Sequence, residues 1–175
     1  VLSPTATRQP IRQFLRFSLE PDTEALLPVS QLSEVLTVPL GQIVPIPHLP
    51  PWAMGVYNWR GEILWVADLG YLLGLTPWRR QAASRSNYPV IILNGSGGEG
   101  KRPTLDRNQV LGLVVSQVKD IESTPTDQIQ SVPPASVGAG LIPYLRGLWI
   151  SPENEVFVVL EGRAILEQVK QSRGF

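Results

Sequence analysis

The sequence predicts a mostly β protein of many short strands with short helices between them, and three observations carry that reading. Seventeen of its 175 residues are proline, about double the usual share of roughly 5%. Proline interrupts helices and β ladders alike, so this content favours short strands and fixed corners. The apolar residues gather in runs such as Val90-Ile91-Ile92-Leu93 and Val156-Phe157-Val158-Val159-Leu160, which have the length of strands. Finally, Gly55 to Leu69 sets two apolar runs either side of a polar corner, Asn58-Trp59-Arg60-Gly61-Glu62. Gly61 can take a positive φ without a Cβ clash, so the corner can be a tight hairpin.

The elements follow in order. Residues 1–13 are polar and read as a loose arm. In Phe14 to Leu19, Phe14, Arg16 and Ser18 alternate with Leu15, Phe17 and Leu19, the period of a strand. Pro21 to Glu24 turns the chain, and Ala25-Leu26-Leu27-Pro28 starts a return strand. Val29, Leu32, Val35 and Leu36 fall at helical spacing, which predicts a turn or two of helix carrying Glu34. Val38 to Pro51 holds five prolines and the single histidine, His48, and reads as a stiff extended connector. Within the hairpin, Glu62 to Asp68 is the second strand. Asp68 is placed to cap a short helix that Gly74 ends.

Trp78 to Asn87 is polar and basic and reads as a surface linker. Val90 to Leu93 is a strand buried on both faces. Gly95 to Lys101 matches two phosphate-binding patterns, G-x-G-x-x-G and G-x-x-x-x-G-K. Both patterns need a helix after the glycines. Here Arg102 stands where a Ser or Thr would bind magnesium, and Pro103 follows, so a hairpin loop is the reading. Val110 to Val118 is a strand with Gly112 at a bulge or a close approach. Val132 to Gly140 is a long loop, and Leu141 to Ile150 returns to strand. Its Arg146-Gly147 pair echoes Arg60-Gly61 and hints at two related barrels. Asn154 turns into the last strand. Ala164, Ile165, Leu166 and Val169 then give a C-terminal helix, with residues 171–175 as a tail.

Composition excludes several classes of function. Fifteen Lys plus Arg balance fifteen Asp plus Glu, so no overall field draws the chain to nucleic acid or anionic lipid. Cysteine is absent, which removes disulfides, thiolate catalysis and zinc–thiolate sites. With one His and no G-x-S-x-G elbow there is no nucleophile–base pair to read, so the chain is expected to be neither an enzyme nor the holder of a cofactor. No run has the roughly 18 apolar residues of a membrane span and no leader pattern is visible; a cytoplasmic protein that does not insert into membranes is the expectation. The chain opens on Val1 rather than Met, which leaves room for native residues before it. Five tryptophans (Trp52, Trp59, Trp65, Trp78 and Trp149) suggest one alternative, a small-barrel nucleic-acid binder that stacks bases on them.

The hairpin stretch also resembles the signature of CheW-like domains, the coupling proteins of bacterial chemosensory arrays. Gly55, Val56, Asn58, Arg60, Gly61, Asp68 and Leu69 stand where that signature wants them. Phe14 to Leu19, Val29 to Val35, Pro45 to Trp52 and Val110 to Val118 resemble further family segments in the same order, with Ser116 where the family usually has Asp. The resemblance spans about residues 14–170, a single domain. It implies two SH3-like five-stranded barrels around a shared core, with a groove between them. It also implies a noncatalytic adaptor that couples a CheA-type histidine kinase to the cytoplasmic tip of a methyl-accepting chemoreceptor in chemotaxis or motility signalling. By the same resemblance Arg60 and Glu34 become candidate partner contacts. Leu32, Val35, Val56 and Val114 become candidate lining of a groove that takes a receptor helix. The alternative role for Arg60 is structural, tying the corner to Asp68 or Glu62.

Overall fold

In the computed structural model, which describes residues 10–80, 85–96 and 109–173, ten strands form two five-stranded antiparallel-rich sheets. The first sheet is ordered β8-β1-β2-β10-β9 and the second β3-β6-β7-β5-β4. The strands are β1 (Ile11–Leu19), β2 (Thr23–Pro28), β3 (Leu32–Pro39), β4 (Ala53–Trp59) and β5 (Glu62–Asp68), then β6 (Asn87–Asn94), β7 (Val110–Val114), β8 (Gln117–Pro125), β9 (Leu145–Ile150) and β10 (Val156–Leu160). Two helices complete the fold, α1 (Leu69–Leu72) and the C-terminal α2 (Gly162–Arg173). This is the expected mostly β architecture of two SH3-like units with short helices.

Strand alternation explains how the sheets make two barrels and one shared core. Along β6, Ile91 and Leu93 enter the shared core, whereas Val90 and Ile92 enter clusters private to the second sheet. A strand flanked by two interiors can be apolar at every position, which is why Val90 to Leu93 shows no polar alternation. Leu15, Phe17, Leu19 and Leu27 of the first sheet meet Leu111 and Leu113 of the second, and Ile165, Leu166 and Val169 of α2 join them. Phe14, Leu26, Trp149, Phe157 and Val159 fill the first barrel. Fully burying one such side chain contributes about 1.5–3 kcal/mol, so the shared layer is what joins the barrels.

Among the described residues the chain crosses between the barrels at Pro28–Leu32 and at Val115–Ser116, so the strands of the second barrel are inserted between β2 and β8. Hydrogen bonds clamp both crossings. Gln31 Nε2 donates to Glu161 Oε1 at 2.7 Å while Gln31 Oε1 accepts from the Gly162 N–H at 2.9 Å. At the other crossing the Ser116 N–H donates to the Ser18 carbonyl, and Ser116 Oγ accepts from the Glu20 N–H, both at 3.0 Å.

Several sequence expectations need correction. The helix expected after Pro28 is only a 3-10 turn at Val29–Gln31, and Leu32 to Pro39 is strand β3 paired with β6. Side chains in β3 alternate between half-buried and exposed, and that period-2 pattern overrides the apparent helical spacing. The single strand expected over Val110–Val118 breaks at Val115–Ser116 because its halves pair in different sheets. Of the two readings of Gly112 the close approach holds, since a Cβ there would lie 3.1 Å from Val90 Cγ1 and 3.2 Å from Leu64 Cδ2. Strand β1 starts at Ile11, inside the expected arm, and α2 runs on through Gln171–Arg173 of the expected tail. Leu141 to Tyr144 is not strand, because a 3-10 turn at Ile142–Tyr144 precedes β9. Arg146-Gly147 lies within β9 while Arg60-Gly61 is a hairpin tip, so the echo between them carries no structural meaning. Most of the glycine-rich loop, residues 97–108, lies outside the described residues; the strands it joins, β6 and β7, pair antiparallel as a hairpin would require.

Candidate functional site

The β4–β5 hairpin and strand β3 build the site. Trp59 pairs with Glu62, leaving Arg60 and Gly61 as a two-residue loop. Both have positive φ, 54° at Arg60 and 79° at Gly61, the signature of a type I′ turn. The Asn58 side chain stabilises the corner, its Oδ1 accepting from the Gly61 N–H at 2.9 Å. A left-handed conformation at a residue with a Cβ costs about 1–3 kcal/mol. The corner therefore presents an arginine at a position where glycine would fold more easily.

Glu34 is what Arg60 meets. Arg60 donates to Glu34 Oε2 at 2.7 Å, and Trp59 Nε1 donates to Glu34 Oε1. The Arg60 guanidinium also lies 5.4 Å from the Trp59 ring centroid. Strands β3 and β4 are the first and last in their sheet, so the contacts from Glu34 to Trp59 and Arg60 show that the sheet has curled until its edges meet. Trp59 is buried in the barrel with Leu64, Ile92 and Val110. Glu34 is thus a half-buried stopper at the barrel's end, with one carboxylate oxygen serving the interior and the other the surface.

That geometry revises two expectations. The structural alternative that ties Arg60 to Asp68 fails, because Asp68 is buried and turned inward. Asp68 Oδ1 accepts from the Tyr71 N–H at 3.3 Å, capping α1 as expected, and its Oδ2 accepts from the Trp78 N–H at 2.8 Å. Burial raises the Asp68 carboxyl above its ordinary pKa, against the opposing pull of these backbone donors. Glu34 likewise lies on strand β3 rather than on the expected helical turn, and it is half-buried. It stands opposite Ile92 in register, on the barrel-interior side, whereas Val35 stands opposite Ile91 of the shared core.

The groove candidates separate in the same way. Leu32 packs against the shared core from the edge. Val35 is 42% exposed on the outer face of β3. Val56 is half-buried opposite Trp65, which itself packs on the shared core. These three lie on the side of the second barrel that faces the first. Val114 does not join them. It is 2% exposed and packs inside the second barrel with Val66 and Val90. Its neighbours Leu113 and Val115 belong to the shared core, so β7 has no open face. One surface residue escaped the sequence reading: Ile63, next to the corner, is 75% exposed. It sits two positions from Trp65 on the same strand face, and that alternation was the available signal.

None of the five tryptophans is fully exposed. Trp59 and Trp149 are buried in separate barrels, and Trp52, Trp65 and Trp78 are half-buried. Among the described residues no helix is long and apolar enough to cross a membrane, and no three His, Asp or Glu side chains converge as metal ligands would.

Comparison with known proteins agrees with this geometry. A family model described as the CheW-like domain matches residues 13–170. A probable chemotaxis protein CheW from Rhizobium etli is 31% identical over 91 residues, covering 52% of this chain and 49% of that protein. A chemotaxis protein CheW from Rhizobium meliloti is 32% identical over 89 residues, covering 51% of this chain and 48% of that protein. The chain thus spans about half the length of the curated relatives it matches. The crystal structure of a scaffolding protein, TtCheW from Thermoanaerobacter tengcongensis, superposes with a TM-score of 0.67 at 21% identity, covering 87% of this chain and 90% of that one. With the family pattern running from β1 into α2 and the two-barrel fold in place, the chain belongs to the CheW-like domain family.

Proposed function

We infer that this chain is a noncatalytic chemotaxis adaptor that couples a CheA-type histidine kinase to the cytoplasmic tip of a methyl-accepting chemoreceptor. The observation that carries the reading is the Glu34–Arg60 pair at the tip of the β4–β5 hairpin, with Val35 beside Glu34 in β3 and Ile63 beside the corner in β5 both exposed and apolar. Arg60 holds a strained backbone position that glycine would fill more easily, which points to selection for the guanidinium rather than for the turn. Exposed apolar side chains beside a charged pair have the anatomy of an interface, in which rim charges set register. Leu32, Val35 and Val56, on the side of the second barrel that faces the first, offer apolar surface that suits one face of a helix. The lack of cysteine and the single histidine favour an adaptor over an enzyme.

The test is reconstitution with a receptor fragment and kinase from the same source. The wild-type chain should place kinase autophosphorylation under receptor control, and Arg60→Ala should remain folded while that control is lost. Normal control by the variant, or no binding of kinase and receptor by the wild type, overturns the reading.

A further inference from the structure

We propose that the cleft between the proline-rich connector and the segment after α1 is a second docking site, for an acidic peptide that carries an apolar anchor. The cleft has a volume of about 730 Å³. The connector supplies Ile46, His48 and the rings of Pro50 and Pro51 as one wall, and Tyr71, Trp78, Arg79 and Arg80 form the other. It lies on the flank of the second barrel, and none of Glu34, Arg60, Leu32, Val35 or Val56 lines it.

Three features point to the occupant. The first is charge. Arg79 and Arg80 are adjacent and exposed, and among the described residues no carboxylate lines the site. The chain is neutral overall, so this cationic rim is a local arrangement. Adjacent guanidiniums are suited to carboxylates because each can donate a pair of parallel hydrogen bonds. The second feature is the wall. Tyr71 is 38% exposed and Ile46 38% exposed, and with the proline rings they offer apolar surface to an aliphatic or prolyl side chain. The Arg79 guanidinium lies 5.3 Å from the Trp78 ring centroid, which holds the charge at the mouth.

The third feature is rigidity. His48 has φ 64°, a left-handed conformation disfavoured for a residue with a Cβ, and prolines stand on both sides at Pro47 and Pro50. The connector is also pinned at Val44, whose N–H and carbonyl both pair with Val56 at 2.8 and 2.9 Å. Across the cleft, Asp68 holds the Trp78 N–H. Both walls are therefore fixed before a ligand arrives, which lowers the ordering cost of binding. A trough with apolar walls and a cationic end, open to solvent, fits a short extended peptide whose apolar residue precedes paired acids.

The test is backbone-amide chemical-shift mapping on the full chain with acetyl-Leu-Pro-Glu-Glu-amide as probe. The lysine counterpart, acetyl-Leu-Pro-Lys-Lys-amide, and inorganic phosphate serve as comparisons. Saturable shifts confined to Ile46–Met54 and Tyr71–Arg80 are expected with the acidic peptide alone. The Arg79→Glu, Arg80→Glu double variant should weaken binding roughly fivefold or more, and so should Tyr71→Ser, whose side chain takes no part in the α1 cap. Absence of saturable shifts, equal shifts with the lysine peptide, or unchanged binding by the double variant overturns the proposal. If phosphate reproduces the full pattern at equal affinity, the site is a simple anion site and the peptide reading fails.

Discussion

Trp59 donates its indole N–H to Glu34, and this bond closes the second barrel where its first and last strands meet. The acceptor is a carboxylate whose other oxygen holds Arg60 at the surface. A change on the surface side of Glu34 is therefore felt by a buried tryptophan.

Glu34→Ala should destabilise the fold by about 1–3 kcal/mol, the cost of leaving a buried donor unsatisfied. Glu34→Gln keeps an acceptor for Trp59 and should cost about 1 kcal/mol or less, since the exposed ion pair it removes is worth no more than that. Glu34→Lys, which removes the acceptor and repels Arg60, should be the worst of the three. Urea denaturation midpoints rank them, and equal stability of the Ala and Gln variants would show that the indole bond contributes nothing.

Arg60→Gly separates the turn from the guanidinium. Glycine relieves a left-handed position that costs about 1–3 kcal/mol, while the lost ion pair is mostly exposed and worth about 1 kcal/mol or less. The expected outcome is a thermal midpoint equal to or above wild type, together with the same loss of kinase control as Arg60→Ala. A clear fall in midpoint would mean that the arginine holds the corner together.

Val114→Arg should unfold the protein, because it places an unpaired charge inside the second barrel at a cost of several kcal/mol. Val35→Arg, at a position 42% exposed, should leave the midpoint within a few degrees and weaken receptor binding. Circular-dichroism melts read the first effect and receptor pull-down the second. A stable Val114→Arg variant would contradict the burial of that residue.

Asp68 gives a pH dependence of defined sign. Its folded-state pKa is raised, with burial the leading cause, so the folded state holds the proton more tightly than the unfolded chain does. Stability from this group is then greatest at acid pH, below the ordinary carboxylate value. It declines as pH rises from there through the raised folded pKa. Asp68→Asn removes this slope. It also turns one acceptor into a donor facing a backbone N–H, which lowers stability at every pH. Plotted against pH, the wild-type stability minus that of the variant should fall across the window just above the ordinary carboxylate pKa. A rising difference would reverse the assignment.

Much of the fold could be read from local chemistry. Glu62–Asp68 is the strand its β-branched and aromatic content implies, and Asp68 caps α1 as its side chain predicts. Two places could not be read locally. In Leu32–Val38 the apolar residues fit helical and strand periods alike, and pairing with β6 decides between them. At Val115–Ser116 the break follows from the halves belonging to different barrels, which no local signal records. The site divides similarly. Arg60 was visible through the hairpin signature, but its partner Glu34 lies 26 residues away and is brought to it only by closure of the barrel. Val114 was misplaced because a uniformly apolar strand gives no clue as to which of its two faces is open.

The insertion of one barrel within the other sets an order of assembly. Residues 32–114 are contiguous and hold every strand of the second barrel, so that unit can close as soon as its own chain has been synthesised. Strands β1 and β2 are made first, yet β1 must wait for β8 and β2 for β10, across roughly a hundred and more intervening residues. Such distant pairings are slow to form because loop closure precedes the contacts that reward it. During that wait the unpaired edges of the β1–β2 hairpin and the outer face of the finished second barrel are exposed together. The nascent chain is then most prone to pair with another copy of itself, and the delay ends only when the last strands emerge.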